Sequence, residues 1–327
     1  MSGKALSIKN DSKINYLARE ISNFIHRGSA TTEKLSATLH LIKEETGLKT
    51  LKNLKQSHID AVIAKIASTE ASLSSKNSYI SSINNIVKYS SKENLHSIKA
   101  SDYGLSRKIN EKDGINKENT REAAVAFTTW LNGKYAEKGD LRYGALAQAV
   151  NIQSSNLRLR ESLLVKLKSK DFSNDTLKIK GKSDGAKNSR EREIKLNIEQ
   201  KQSLTEARQF LKDNNLKDLC VGTVKQGRDF ANNTLKMFRK ETNIAFHYHG
   251  ERHWTAHEVY KNAWSAKGYD VECRARTGEE KQDWQNRIMT KTGLSKSEFK
   301  AYDKEIRQEI SRDLGHERIE ITNRYLG

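Results

Sequence analysis

Four short segments of this 327-residue chain carry side chains of a type and spacing that can do chemistry. His249-Gly250-Glu251-Arg252-His253 places two imidazoles and a guanidinium within five positions. In Asn156-Leu157-Arg158-Leu159-Arg160-Glu161 a carboxylate follows Arg158 by three residues. Lys182 stands in the polar run Gly181-Lys182-Ser183-Asp184-Gly185, and Leu314-Gly315-His316 is followed nine positions on by Tyr325. A guanidinium is a planar fork that can grip two oxygens of one phosphate. An imidazole can take or give a proton near neutral pH. A phenol is a weak nucleophile at its free pKa of about 10, and surrounding cations favour its ionised form. Each segment alone has a plain reading: arginines on helices and lysines in turns are usually solvated. Histidines at 249 and 253, with His247 beside them, could also hold zinc. The residues between them are Gly, Glu and Arg, however, and fit neither His-Glu-x-x-His nor His-x-x-Glu-His. A Walker-type phosphate loop fails as well, because Thr176 stands where its first glycine belongs.

Taken in order, Arg158, Lys182, His249, Arg252, His316 and Tyr325 resemble the active-site set of the tyrosine recombinases, the phage-type integrases. The resemblance covers residues 120–327 and, more loosely, 10–95. It implies a mainly helical α+β protein: an N-terminal helical DNA-clamp domain, then a mixed α/β catalytic domain with a small antiparallel sheet. Arg158 and Arg252 would clamp the scissile phosphate, and His249 would assist proton transfer from the attacking Tyr325. His316 would donate a hydrogen bond to the phosphate, and Lys182, on a hairpin, would protonate the leaving 5′ oxygen. Glu161 and His253 would support them, His253 as a buried packing or orienting residue. Arg160, one residue out of register, and Lys187 are the competing candidates for Arg158 and Lys182. The implied reaction is conservative strand exchange through a 3′-phosphotyrosine, with no metal and no cofactor, carried out on double-stranded DNA by four protomers on two sites, with accessory DNA-bending or directionality proteins as further partners. A mobile-element integrase is the first expectation. A type IB topoisomerase and a DNA-binding protein with a decayed active site are the alternatives, and Tyr325→Phe separates the second.

The sequence departs from the family pattern in three places. Asn156 stands where the family usually has glycine. A charged stretch between Lys267 and Leu314, with Arg274, Arg276, Trp284 and Tyr302, is far longer than the usual connection. It is expected to add helices at about 279–290 and 295–313, forming an inserted segment at about 269–305 that contacts DNA or a partner protomer. Only Leu326 and Gly327 follow Tyr325, so either assembly differs from relatives with a longer tail or the sequence stops short.

Composition agrees with a polyanion as partner. The net charge is +18, and the excess is spread: residues 1–100 carry 15 basic against 8 acidic side chains. No apolar run approaches a membrane span, and the N-terminus lacks a signal peptide's apolar core, so a cytoplasmic, nucleoid-associated protein is expected. Two distant cysteines, Cys220 and Cys273, suggest neither a disulfide framework nor a zinc site. There is no proline, which permits long helices.

Apolar periodicity predicts helices over 12–27, 32–45, one capped by Ser57, and one opening at Ser75 or Asn77. These make a first domain over 1–97, with a linker at 98–119 and the catalytic domain over 120–327. In that second domain helices are expected at 120–131, 141–150, 199–213, 226–242 and 256–267. Strands at 176–180 and 192–196 would pair as a hairpin.

Overall fold

The computed structural model describes residues 6–25, 29–92, 94–105, 116–167, 175–186, 191–316 and 319–327; the side chains of Ser29, Ala30 and Lys182 lie outside that description. The chain divides into two compact units, residues 1–109 and 110–327. Among the described residues no helix is long and apolar enough to cross a membrane.

The first unit contains α1 (Asp11–Phe24), α2 (Ser29–Thr46), α3 (Gln56–Ser68) and α4 (Leu73–Ser90). Their apolar stripes meet in one core: Ile14, Leu17 and Ile21 from α1, Leu35, Leu39 and Ile42 from α2, Ile59, Val62, Ile63 and Ile66 from α3, and Ile80, Ile83 and Ile86 from α4. Asn10 caps α1 by accepting the Lys13 amide at 3.0 Å. Two helix starts differ from expectation. Ser57 lies inside α3, whose first turn is instead closed by the Lys55 amide donating to His58 Nδ1. Ser72 caps α4 through the Ser75 amide, while the Asn77 amide group donates to the carbonyls of Leu73 and Leu105. The expected linker at 98–119 includes residues that are buried at either end. Ile98 and Leu105 are buried in the first core, and Asn119 is buried in the second unit.

The second unit contains α5 (Arg121–Lys138), α6 (Leu141–Asn151), α7 (Leu159–Leu164), β1 (Thr176–Ile179), β2 (Arg192–Lys195), α8 (Ile198–Asp213) and α9 (Val224–Thr242). It continues with α10 (Gly250–Ser265), α11 (Arg274–Thr277), α12 (Lys281–Thr292), α13 (Lys296–Asp313) and α14 (Ile319–Leu326). The two strands form an antiparallel hairpin with Leu177 opposite Ile194 and Ile179 opposite Arg192. Side chains alternate across a strand, so Arg192 shares the inward face with buried Ile194, while Lys178 and Glu193 pair outward at 3.2 Å. The architecture is thus mainly helical α+β with a small two-stranded sheet.

The charged segment 269–305 is built into the unit. Helices α12 and α13, the second of which runs on past the segment, carry Trp284, Phe299, Ile306 and Ile310 into a cluster that also holds Trp264 of α10 and Tyr325 and Leu326 of α14. Phe299 stacks on Trp264 with ring centroids 6.0 Å apart and meets Trp284 edge-on at 5.6 Å. Buried aromatics of this size dominate local packing energy, so the segment's apolar minority binds it to α10 and α14 while most charged side chains of α12 and α13 face out.

Candidate active site

The helix α10 starts earlier than its periodicity suggests, at Gly250, and this places Arg252 and His253 in its first turn with His249 just before it. Asn119 secures that start: its Nδ2 donates to the His247 carbonyl at 2.8 Å and to Glu251 at 2.7 Å, and its Oδ1 accepts the His247 amide at 2.9 Å. Residues four apart stack on one helix face, and His249, His253 and His257 form such a stripe, with ring centroids 5.3 and 6.2 Å apart in sequence. Tyr325 lies against it. Its ring stacks on His253 at 4.4 Å, His316 stands 5.5 Å away, and its hydroxyl is 3.0 Å from His249 Nε2.

Beneath the tyrosine is a buried charge cluster centred on Glu161. Arg192 approaches its two oxygens side by side at 3.1 and 2.9 Å, Arg158 donates from Nη1 at 2.8 Å, and Arg252 Nη1 lies 3.8 Å away. Glu161 also accepts the Arg158 amide at 2.8 Å, closing the first turn of α7. Arg252 is fully buried. Its guanidinium donates to the carbonyls of Asn156 and Leu314, the latter at 2.9 Å, and its Nε finds no protein acceptor. Burial draws this guanidinium down to about 10, against the charge of Tyr325 and with that of Arg158. His253 is driven down to about 3 by burial and then by the neighbouring His249 and His257, so it is neutral at pH 7.

Burial alone would raise the Glu161 carboxyl, but the hydrogen bond and charge of Arg192, then the charges of Arg158 and Arg252, hold it at about 2. A free glutamate titrates near 4.3, so this contribution to stability is complete at neutral pH and is lost as pH falls from about 4.3 toward 2. Glu161→Gln keeps the shape and removes the charge that three guanidinia share. It is expected to cost about 3 kcal/mol in urea unfolding at pH 7, in the range for breaking a buried pair. The gap from wild type should shrink as the pH is lowered to 3, and an unchanged gap would contradict the assignment.

Two left-handed backbone positions hold these groups. Asn156 ends the turn Ile152–Ser155 with φ +60°, a conformation that asparagine tolerates better than most residues. The backbone here needs either glycine or a residue of this kind. Gly315 has φ +65°, and a Cβ there would meet Arg192 Cδ at 3.0 Å. The Leu-Gly-His turn is therefore shaped against the guanidinium that grips Glu161.

No protein-family model and no curated protein matches the sequence. Solved structures do. The Tn1549 transposon integrase in complex with transposon right end DNA aligns over 96% of this chain and 94% of its own, with TM-score 0.55 and 15% identity. The same integrase with a circular intermediate DNA aligns over 96% and 95%, at TM-score 0.53 and 15% identity. The XerH site-specific recombinase bound to palindromic difH substrate aligns over 86% and 84%, at TM-score 0.51 and 15% identity. The fold is that of the tyrosine recombinases.

Within this recombinase fold, Arg158, His249, Arg252, His253, His316, Tyr325 and Glu161 converge on one place. Arg160 is exposed on α7. Lys182 falls in the turn Gly181–Asp184 after β1, with its side chain outside the described residues, as is the whole of Lys187. His247, the third potential zinc ligand, has its Nδ1 2.9 Å from Arg239 Nη2. Among the described residues no group of three or more His, Cys, Asp and Glu side chains is arranged to hold a metal. The sequence reading missed Arg192, Asn119, Glu118 and His257. Only Arg192 left a signal, as an arginine on the apolar face of a strand.

Proposed function

We propose that this protein cleaves and rejoins double-stranded DNA through a covalent 3′-phosphotyrosine at Tyr325. The observation that carries the reading is the Tyr325 hydroxyl at 3.0 Å from His249 Nε2, beside the buried arginine Arg252. The Tyr325 oxygen forms a bond to the scissile phosphorus and its proton passes to His249. Arg158 and Arg252 stabilise the charge that builds on the phosphoryl oxygens, and His316 donates to one of them. The bond to the 5′ oxygen breaks, and Lys182 supplies that oxygen's proton. The ester conserves the energy of the broken linkage, and attack by a 5′-hydroxyl reverses the step. The DNA in the Tn1549 integrase and XerH complexes and the net charge of +18 support duplex DNA as the substrate. Synapsis of two sites by four protomers and service to a mobile element belong to the same proposal.

Covalent trapping tests it. The protein is incubated in EDTA with labelled duplexes tiled across the DNA flanking its coding sequence, then denatured. A slow-migrating, protease-sensitive band that leaves a free 5′-hydroxyl on the cut strand is the expected result. Binding to the same duplexes without any such band would overturn the catalytic reading.

A further inference from the structure

We propose that His257 is a positioning residue: clasped between Glu118 and the main-chain oxygen of Tyr325, it fixes the helix that carries the nucleophile, and Arg276 of the 269–305 segment fixes Glu118 in turn. The inference rests on the reading of Tyr325 as nucleophile but stands on separate contacts. His257 is fully buried, with Nδ1 2.8 Å from Glu118 Oε2 and Nε2 2.6 Å from the Tyr325 carbonyl oxygen. Both partners only accept hydrogen bonds, provided Glu118 is ionised. A neutral imidazole has one N–H and would leave one of them facing a lone pair. The doubly protonated ring satisfies both.

Glu118 is kept ionised from the other side. Arg276 donates to it from Nε at 3.1 and 3.0 Å and from Nη2 at 2.9 Å, while also pairing with Glu258 at 2.7 Å and Glu272 at 3.2 Å. Burial would raise the Glu118 carboxyl, but hydrogen bonds from His257 and Arg276 bring it to about 2. The Tyr325 carbonyl lies in the last turn of α14, where helix carbonyls lack partners of their own. A cation donating to it completes that turn. Tyr325 is thus held at both ends, its hydroxyl near His249 and its backbone by His257.

The groups facing His257 are His253 on its own helix, Glu118 before α5 with Arg276 of α11 behind it, Cys273 before α11, and Tyr325 of α14. Burial works against the charge on His257, and Cys273, Glu118 and the Tyr325 carbonyl outweigh it, holding the imidazole up at about 9. The unfolded imidazole titrates near 6.5. The contribution is therefore complete below about pH 6.5 and is lost as pH rises through about 9.

Single-turnover adduct formation, followed from pH 6 to 10 in wild type, His257→Gln and Glu118→Gln, tests this alongside duplex binding and amide exchange over residues 319–326. His257→Gln should bind DNA as wild type does, form adduct about 10- to 100-fold more slowly, as expected for losing a charged hydrogen bond, and lack the alkaline fall near pH 9. Glu118→Gln should move that fall to lower pH by about one unit or more, since an opposite charge supplies a shift of this size. In both variants exchange over 319–326 should be faster at pH 7. Wild-type rates, pH profile and exchange in either folded variant would overturn the inference. If wild type itself yields no adduct, the nucleophile reading fails, and the exchange measurement still decides whether His257 holds α14.

Discussion

Tyr325→Phe should fold and bind duplex DNA with wild-type affinity, and form no covalent adduct at any pH. The ring supplies the packing: it stacks on His253 at 4.4 Å and belongs to the cluster of Trp264 and Trp284. Only the hydroxyl is removed, with its contact to His249 at 3.0 Å, and one such hydrogen bond is worth about 1 kcal/mol net. Stability therefore changes little while the reacting atom is gone. Losing a nucleophile that acts with its base as a unit costs on the order of a million-fold in a well-studied hydrolase. The measurement is the trapping assay with peptide mapping of any residual band. An adduct that persists and maps elsewhere in the chain would move the nucleophile.

Replacing Arg252 should have the next largest effect, and should affect both rate and stability. Its guanidinium is fully buried and spans the carbonyls of Asn156 and Leu314. Arg252→Ala strips both carbonyls of a donor and opens a cavity, which together place the loss at about 2–5 kcal/mol. Arg252→Lys keeps a cation but not the fork, since an ammonium cannot reach two divergent acceptors and a phosphate together. Adduct formation should fall by about 10³- to 10⁵-fold in either variant, the range that one arginine supplies at a transferring phosphoryl group. Duplex binding measured beside unfolding separates the two losses. A lysine variant within tenfold of wild type would show that charge alone suffices and that the fork is structural.

The legible parts of this molecule were those written within a few residues of each other. Stripes such as Ile59-Val62-Ile63-Ile66 mark a helix because burial requires that spacing, and the polar glycine-containing run at 181–185 marked the hairpin. Gly315 and the Arg158–Glu161 spacing were readable because the chemistry and a left-handed turn dictate residue types. Helix α14 was not legible: eight residues make two turns, too few for a period to emerge. The first turn of α10 was hidden because it opens on glycine with no side-chain cap. The supporting shell was invisible for another reason. Arg192 meets Glu161 across 31 residues and Arg276 meets Glu118 across 158, and nothing local in a sequence encodes such pairings. His257 carries no motif of its own, and only the arrival of Glu118 and Tyr325 on either side gives it a task.

The segment 269–305 reads in sequence as something added to an older plan, and the natural impulse is to trim it away. Trp284 and Phe299 forbid that, since they belong to the same buried cluster as Tyr325 and Leu326. On the proposed mechanism, a chain shortened there should keep Arg158, His249, Arg252 and His316 and still form adduct poorly, because α14 would lose part of its packing. What looks like ornament along the chain is, in the folded protein, part of the bed on which α14 rests.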